Sequence, residues 1–244
     1  MNQELFQKAC DQVINSSVLR EGIGTLSEKT VHAVLKNYYE PNSNNHEIKV
    51  GRFFADVYNE YGIIEIQTRQ FNKLRAKLTT FLKDYMVTVV YPVTHEKILY
   101  WIDDATGEIS KGRRSPKRGN CYAIFPELYR IKMMLKNDNI RFCIALIDVE
   151  EYRVLDGWSK DRKKGATLRD RIPTKLVEEI YINSLDDYEN FIPLTLKPQF
   201  DSKEFAKEAK IPKVTAQVTL NILTEVGAVV RVGKRGNSIL YQRK

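Results

Sequence analysis

Residues 55–69 read Ala-Asp-Val-Tyr-Asn-Glu-Tyr-Gly-Ile-Ile-Glu-Ile-Gln-Thr-Arg, and this stretch decides the fold. Its pattern predicts two short strands joined by a turn. Successive side chains of a strand point to opposite faces, so one face is expected to be apolar and the other to carry Asp56, Glu65, Gln67 and Arg69. Two carboxylates on neighbouring strands form an oxygen-ligand site suited to Mg²⁺ or Mn²⁺.

The segments on either side of the hairpin extend this pattern. Residues 70–84 have apolar side chains at helical spacing. Residues 86–91 are a β-rich run that is expected to end at Pro92. Before the hairpin, residues 27–39 predict a helix capped by Ser27. The expected core order is therefore helix, strand, strand, helix, strand.

This order, with an Asp followed by the triplet Glu65-Ile66-Gln67, resembles the PD-(D/E)xK nuclease superfamily in the E-x-Q form of its competence-associated nuclease-like branch. The resemblance implies a restriction-endonuclease-like core over residues 27–93. It also implies that Asp56, Glu65 and the backbone carbonyl of Ile66 hold the metal ion. Gln67 would orient the attacking water, without the positive charge of the superfamily's lysine.

The superfamily also places an acidic residue on the helix before the first strand, and Glu28 is implied in that role. His32 and Lys36 share its helix face and are expected near the metal or the phosphate. Glu47 is a rival for the acidic position because it lies just before the strands. Arg69 is a further candidate for supporting the site. The alternative interpretation is that Glu28 and Lys36 are solvated helix charges and that His32 is a partly buried residue that only fills space.

Composition describes an ordinary globular chain. It has 244 residues, of which 43% are hydrophobic and 29% charged. There is no run of 18 apolar residues and no signal-peptide pattern, which argues against a membrane protein. Cys10, Cys121 and Cys143 are scattered and odd in number, so reduced thiols in the cytoplasm are expected rather than a disulfide framework or a zinc site.

The net charge of +8 favours polyanionic partners, and its distribution matters more than its total. Two segments, 111–118 and 160–171, concentrate basic residues. They are expected to contact phosphates at the rim of the cleft, with solubilising loops as the alternative. The candidate phosphate contacts are Arg113, Arg114, Lys117 and Arg118 in the first segment and Arg162, Lys163 and Lys164 in the second.

The remaining segments outside the C-terminal fifty residues predict further elements. Residues 2–18 and a segment beginning at Pro126 are expected to be helical. Residues 97–110 predict a hairpin, and residues 142–149 a buried strand followed by a second polar edge. A helix is expected over residues 174–192.

The last fifty residues have a different pattern. Asp201-Ser202-Lys203-Glu204 predicts a capping-box start for a short helix. A longer helix is expected over residues 213–226, with Val214, Val218, Ile222, Leu223 and Val226 as its core face, followed by two strands around a basic turn. Helix, turn, helix and hairpin resembles a winged helix-turn-helix domain. That resemblance implies DNA contacts from Lys213, Thr215, Gln217 and Asn221 on the second helix and from Lys234 and Arg235 on the wing. The alternative is that the unit is a protein-contact or dimerisation module with a purely structural role.

The sequence thus predicts a mixed α/β fold with a nuclease-like domain over residues 1–192 and a winged helix-turn-helix domain over residues 195–244. The first hypothesis is a Mg²⁺- or Mn²⁺-dependent DNA endonuclease that acts on duplex DNA. The alternative is a non-catalytic DNA-binding regulator with a degenerate nuclease-like core. RNA binding has no recognition motif in its favour. A homodimer is left open, and no membrane partner is expected.

Overall fold

The computed structural model describes residues 1–18, 29–157 and 165–244. The helices are α1 Gln3–Val18, α2 Lys29–Tyr39, α3 Arg75–Phe81, α4 Phe125–Arg130, α5 Ser202–Glu208 and α6 Lys213–Val226. The strands are β1 His46–Val50, β2 Phe53–Asn59, β3 Gly62–Ile66, β4 Val87–Asp103, β5 Arg113–Arg114, β6 Ile140–Gly157, β7 Gly165–Ile182, β8 Gln199–Phe200, β9 Val229–Arg235 and β10 Ser238–Arg243.

A large mixed sheet organises the molecule. Its strands lie in the order β1-β2-β3-β4-β6-β7, and β5 pairs with β4. The pairs β3–β4 and β4–β6 are parallel and the others are antiparallel. Helices flank this sheet, so the mixed α/β class predicted from the sequence is confirmed.

Both faces of the sheet are buried. Helices α1 and α2 cover one face, where Leu35 packs in the same apolar cluster as Ile66 and Val90. The other face is covered by α3 and α4, and Ile63 and Phe125 belong to its core. The prediction of one apolar and one polar face for the β2–β3 hairpin is therefore wrong. A central strand needs apolar side chains on both sides.

The turn of the β2–β3 hairpin requires glycine. Gly62 has a φ of +116°, and a Cβ at this position would lie 2.4 Å from the carbonyl oxygen of Met86. The N–H of the next residue, Ile63, donates to that same oxygen at 2.9 Å. Glycine thus allows β3 to approach the start of β4 closely.

Two expectations for the middle of the chain are wrong. Strand β4 does not end at Pro92 but continues to Asp103, and its second half is the first strand of the hairpin expected over residues 97–110, where Ile102 pairs with Ile109. Residues 174–182 are not helical but form the end of β7, and a short 3₁₀ helix, Asp186–Phe191, follows. Fourteen residue pairs tie β7 to β6, so tertiary pairing outweighs local helical preference in this segment.

The C-terminal elements follow the predicted order. Helix α5 begins with the predicted capping box, in which Asp201 accepts from the N–H of Glu204 and the Glu204 side chain accepts in return. Helix α6 ends at Gly227, which has a φ of +86°. Val214 was expected in the core but is 71% exposed. The first turn of α6 extends past its packing partners, and Ala216 is the first fully buried residue of this helix.

The C-terminal unit packs against the main sheet through a shared core. Phe205 of α5 and Leu220 of α6 belong to the same buried cluster as Phe125 of α4. The rings of Tyr122 and Phe205 meet edge to face with centroids 6.0 Å apart. Strand β8, which the sequence analysis did not predict, pairs with β10 to make a three-stranded sheet. None of the helices in the described ranges is long and apolar enough to span a bilayer.

Candidate functional site

The β2–β3 hairpin brings Asp56 and Glu65 together. Val57 pairs with Ile64 in the antiparallel register, which places Asp56 and Glu65 opposite each other one step further along. The backbone N–H of Asp56 donates to Oε1 of Glu65 at 3.3 Å. Side chains opposite each other on paired strands point to the same face, so the two carboxylates share one site, as the sequence predicted.

Asp56 is held as a carboxylate. Its Oδ2 lies 3.1 Å from Nε2 of His32 and accepts from the N–H of Ile66 at 2.8 Å. Burial raises the pKa of Asp56, but the hydrogen bonds from His32 and Ile66 outweigh it and hold the pKa below its ordinary value. His32 lies on α2, and the structure thus places it at the site, as predicted.

Glu65 has the opposite electrostatic character. The residue is 2% exposed. Burial, together with the negative charge of Asp56, raises the pKa of Glu65 to about 8, and the ammonium group of Lys77 opposes this rise. Nζ of Lys77 lies 2.6 Å from Oε2 of Glu65. A proton, the lysine and any bound cation therefore compete for this one carboxylate.

Lys77 is the site residue that the sequence analysis missed. It lies on α3, a helix that the periodicity predicted, between the buried residues Leu74 and Phe81. Lys77 is three residues after Leu74 and four before Phe81, so the three side chains lie on the same face of the helix, towards the sheet. That spacing is the signal in the sequence that could have revealed Lys77.

Two local features orient α3 towards the site. Gln70 has a φ of +60° and turns the chain sharply after β3. The N–H of Phe71, at the start of the 3₁₀ turn Phe71–Leu74 that leads into α3, donates to Oε2 of Glu127 at 2.8 Å. Glu127 is a buried residue of α4 and therefore fixes the helix start where backbone donors would otherwise lack partners.

The site lies in a cleft of about 590 Å³. Its lining residues are His32, Ala33, Lys36, Asp56, Glu65, Ile66, Gln67, Thr68, Leu74 and Lys77. Most of the predicted site residues thus surround one space. Ala33, Ile66 and Leu74 contribute apolar surface to the cleft beside its charged residues.

The remaining predicted site residues are placed as follows. The side-chain amide of Gln67 donates to the backbone carbonyl of Arg69, so its nitrogen points towards the chain segment that follows β3. Arg69 is exposed and does not line the cleft. Nζ of Lys36 lies 2.6 Å from Oε1 of Glu47, which is 56% exposed. Glu28 lies outside the described residues.

The donor set fits a divalent cation in part. Asp56 and Glu65 supply adjacent carboxylate oxygens, the ligand type that Mg²⁺ and Mn²⁺ prefer. Within residues 1–18, 29–157 and 165–244, no group of three or more His, Cys, Asp or Glu side chains is arranged to hold a metal ion. An ion at this site would therefore need the Ile66 carbonyl and water to complete its coordination.

The predicted phosphate-contacting residues of the first basic segment are exposed. Arg113, Arg114, Lys117 and Arg118 all lie at the surface around β5. Arg114 and Arg118 both bind Glu96, the latter at 2.5 Å, so one carboxylate offsets part of their charge. Arg162, Lys163 and Lys164 of the second segment lie outside the described residues.

The C-terminal candidates divide into exposed and engaged residues. Lys213 and Gln217 on α6 and Lys234 on the hairpin are exposed, whereas Thr215 is half-buried. Arg235 binds Glu204 at 2.6 Å and Asp201 at 3.6 Å, which ties the hairpin to the start of α5. Asn221 was expected to face DNA, but its side-chain oxygen accepts from Lys132 at 3.3 Å, so it points towards the 3₁₀ turn Lys132–Met134 that follows α4.

Comparisons with known proteins assign this chain to a family. Residues 29–183 match the family described as a domain of unknown function, DUF8091. An uncharacterized protein of Treponema pallidum (strain Nichols) is 29% identical over 229 residues, which cover 91% of this chain and 88% of that protein. No solved structure matches the chain. The chain belongs to the DUF8091 family, and the matched region contains Asp56, Glu65 and Lys77 but not α5 or α6.

Proposed function

We propose that this protein is a metal-dependent DNA endonuclease that hydrolyses phosphodiester bonds. The observation that carries the proposal is the pairing of Asp56 and Glu65 in one cleft, with Lys77 bound to Glu65. Two carboxylates held side by side, one of them buried and with a raised pKa, are costly unless a cation or a proton offsets their repulsion. The resemblance of the Asp, Glu-x-Gln pattern to the PD-(D/E)xK superfamily supports the same reading.

Asp56, Glu65 and the Ile66 carbonyl would hold Mg²⁺ or Mn²⁺. When bound, such an ion lowers the pKa of a coordinated water and offsets charge on a phosphate. Lys77 is placed to supply the positive charge that Gln67 lacks, because its ammonium group lies against Glu65. His32 orients Asp56 through Nε2.

The test is cleavage of supercoiled plasmid with Mg²⁺ or Mn²⁺. We expect metal-dependent cutting by the wild-type protein, and at least a hundredfold loss, roughly the scale of removing one catalytic group, for Glu65→Ala and Lys77→Met. Lys73→Met is the matched control because Lys73 is exposed and lies four residues before Lys77. Full activity in Lys77→Met would remove Lys77 from the mechanism.

The second candidate function is a non-catalytic DNA-binding regulator. Lys77 already balances the charge of Glu65 at 2.6 Å, which favours a site that does without a metal. This reading predicts that Asp56→Ala and Glu65→Ala leave DNA affinity unchanged and that no cutting occurs with either metal ion. It also predicts no thermal shift of the wild-type protein on addition of Mg²⁺, whereas the endonuclease should be stabilised by the ion.

Duplex DNA is the partner we propose for the C-terminal unit. The exposed residues Lys213, Gln217 and Lys234 lie on the elements that a winged helix-turn-helix domain uses for the major groove and the backbone. Lys213→Gln and Lys234→Gln should each lower the salt dependence of DNA binding. The free thiols of Cys10, Cys121 and Cys143 accord with the cytoplasmic location that we propose.

A further inference from the structure

A second charged cluster lies on the long strands beyond the cleft, and Glu151 is its centre. Both carboxylate oxygens of Glu151 accept from Nζ of Lys97 at 3.0 Å. Nε of Arg153 lies 2.7 Å from Oε1, and Nε of Arg171 lies 2.9 Å from Oε2. The Glu151 side chain is fully buried, whereas the three basic side chains are 21%, 33% and 38% exposed, in the order given.

The strand register explains this convergence. Glu151 of β6 is directly opposite Arg171 of β7 and Leu99 of β4. Arg153 is two residues after Glu151, and Lys97 is two residues before Leu99, so both point to the same face of the sheet. The cluster is thus built on paired strands and not on a loop.

Glu151 and the three cations bound directly to it carry a net charge of +2. Arginine has five N–H donors and lysine three, so one shared carboxylate cannot satisfy all of them. Burial raises the pKa of Glu151, but its hydrogen bonds to the three cations outweigh it and lower the pKa to about 2. The other carboxylates around the cluster have partners of their own: Asp148 with His95, Glu150 with Tyr100 and Tyr152, and Asp170 with Thr30.

The cluster lies next to the candidate active site. Arg171 and Thr68 both line a small cavity of about 70 Å³. Thr68 also lines the cleft that holds Asp56 and Glu65. Helix α2 borders both spaces, with Val31 at the small cavity and His32 at the cleft.

We propose that Lys97, Arg153 and Arg171 form a phosphate platform that binds the backbone of duplex DNA beside the cleft. This inference rests on the proposed function and assigns a substrate-binding surface to it. Guanidinium groups match phosphate geometry with paired N–H donors, and Glu151 fixes their orientation before the DNA arrives. Preorganised side chains lose less conformational entropy on binding than free ones.

The test uses the full-length protein in EDTA, so that binding is measured without cleavage. Anisotropy of a short labelled DNA duplex is followed over a range of salt concentrations. We expect Arg153→Gln and Arg171→Gln each to weaken binding roughly threefold to tenfold and to reduce the salt slope by about 0.9. Lys49→Gln is the matched control, because it removes the same charge from an exposed position on β1 and should change neither value.

A conservative variant guards against a folding defect. Arg171→Lys retains the charge and should retain the salt slope of the wild-type protein, with thermal unfolding monitored for every variant. If the wild-type protein binds duplex DNA with a steep salt slope and Arg153→Gln and Arg171→Gln match it, the phosphate platform is refuted and the endonuclease proposal stands. If the wild-type protein binds no duplex DNA in EDTA, or binds RNA more tightly, the phosphate platform is refuted, and the endonuclease proposal fails as well only if no plasmid is cut with Mg²⁺ or Mn²⁺.

Discussion

Replacing Glu65 by glutamine should stabilise the metal-free protein, and the gain should grow with pH. A carboxyl group has an ordinary pKa of 4.5, and Glu65 in the folded protein has a pKa of about 8. A folded-state pKa above the unfolded value gives stability that is fully present below pH 4.5 and is lost as the pH rises through 8. Glutamine has the same shape and no proton to lose, and its side-chain oxygen can still accept from Lys77.

The magnitude follows from the two pKa values. Each unit of difference is worth about 1.4 kcal/mol, and Glu65 is too buried for solvent to screen it strongly. Between pH 5 and pH 8 the wild-type protein should lose up to about 4 kcal/mol of unfolding free energy relative to Glu65→Gln.

Urea unfolding of both proteins in EDTA at pH 5, 6.5 and 8 measures this difference, with Glu108→Gln, at an exposed position away from the cleft, as a control for charge removal. Mg²⁺ should restore stability to the wild-type protein at pH 8 and not to Glu65→Gln. A difference that stays constant from pH 5 to pH 8 would refute the account of the Glu65 environment.

Three further changes test the stability of the Glu151 cluster and of the C-terminal unit. Glu151→Gln should destabilise the protein by about 2 kcal/mol at pH 7. The folded-state pKa of Glu151 is about 2, so its contribution to stability is present above pH 4.5 and is lost as the pH falls through 2. Urea unfolding at pH 7 and pH 3 should therefore show a smaller difference between the two proteins in acid. Asp201→Ala removes the acceptor for the N–H groups of Lys203 and Glu204 and should cost about 1 to 2 kcal/mol, seen as a lower midpoint in urea; an unchanged midpoint would mean that the cap is not needed. Gly227→Ala should cost about 1 kcal/mol, because the residue has a φ of +86° and open space around it; a thermal scan should show a lower Tm than that of the wild-type protein.

The parts of the fold that the sequence predicted are those that local patterns determine. Strands β2 and β3 are neighbours in the chain, and the short turn between them brings Asp56 opposite Glu65. The end of α6 was predicted because Gly227 marks a helix end at a specific backbone conformation.

What the sequence did not predict depends on contacts between distant segments. Strand β7 forms because β6 provides a long edge for it to pair with. Several register shifts along this pair interrupt the alternation of apolar and polar side chains that would predict a strand. Helical spacing could have shown that Lys77 faces the sheet, but not that it meets Glu65, because periodicity does not show which strand lies beneath α3. Asn221 faces Lys132 for the same reason, since the sequence does not show where α4 packs on α6.

Strand β7 forms one outer edge of the sheet, and such edges are where proteins add strands from other chains. Pro173 lies in the middle of this strand and has no N–H group to donate. Its carbonyl oxygen accepts from the thiol of Cys10 on α1 at 3.5 Å. A neighbouring chain would therefore meet an interrupted ladder of hydrogen bonds at this edge, and self-association by continuation of the sheet is opposed there. Any homodimer of this protein should be sought on another surface.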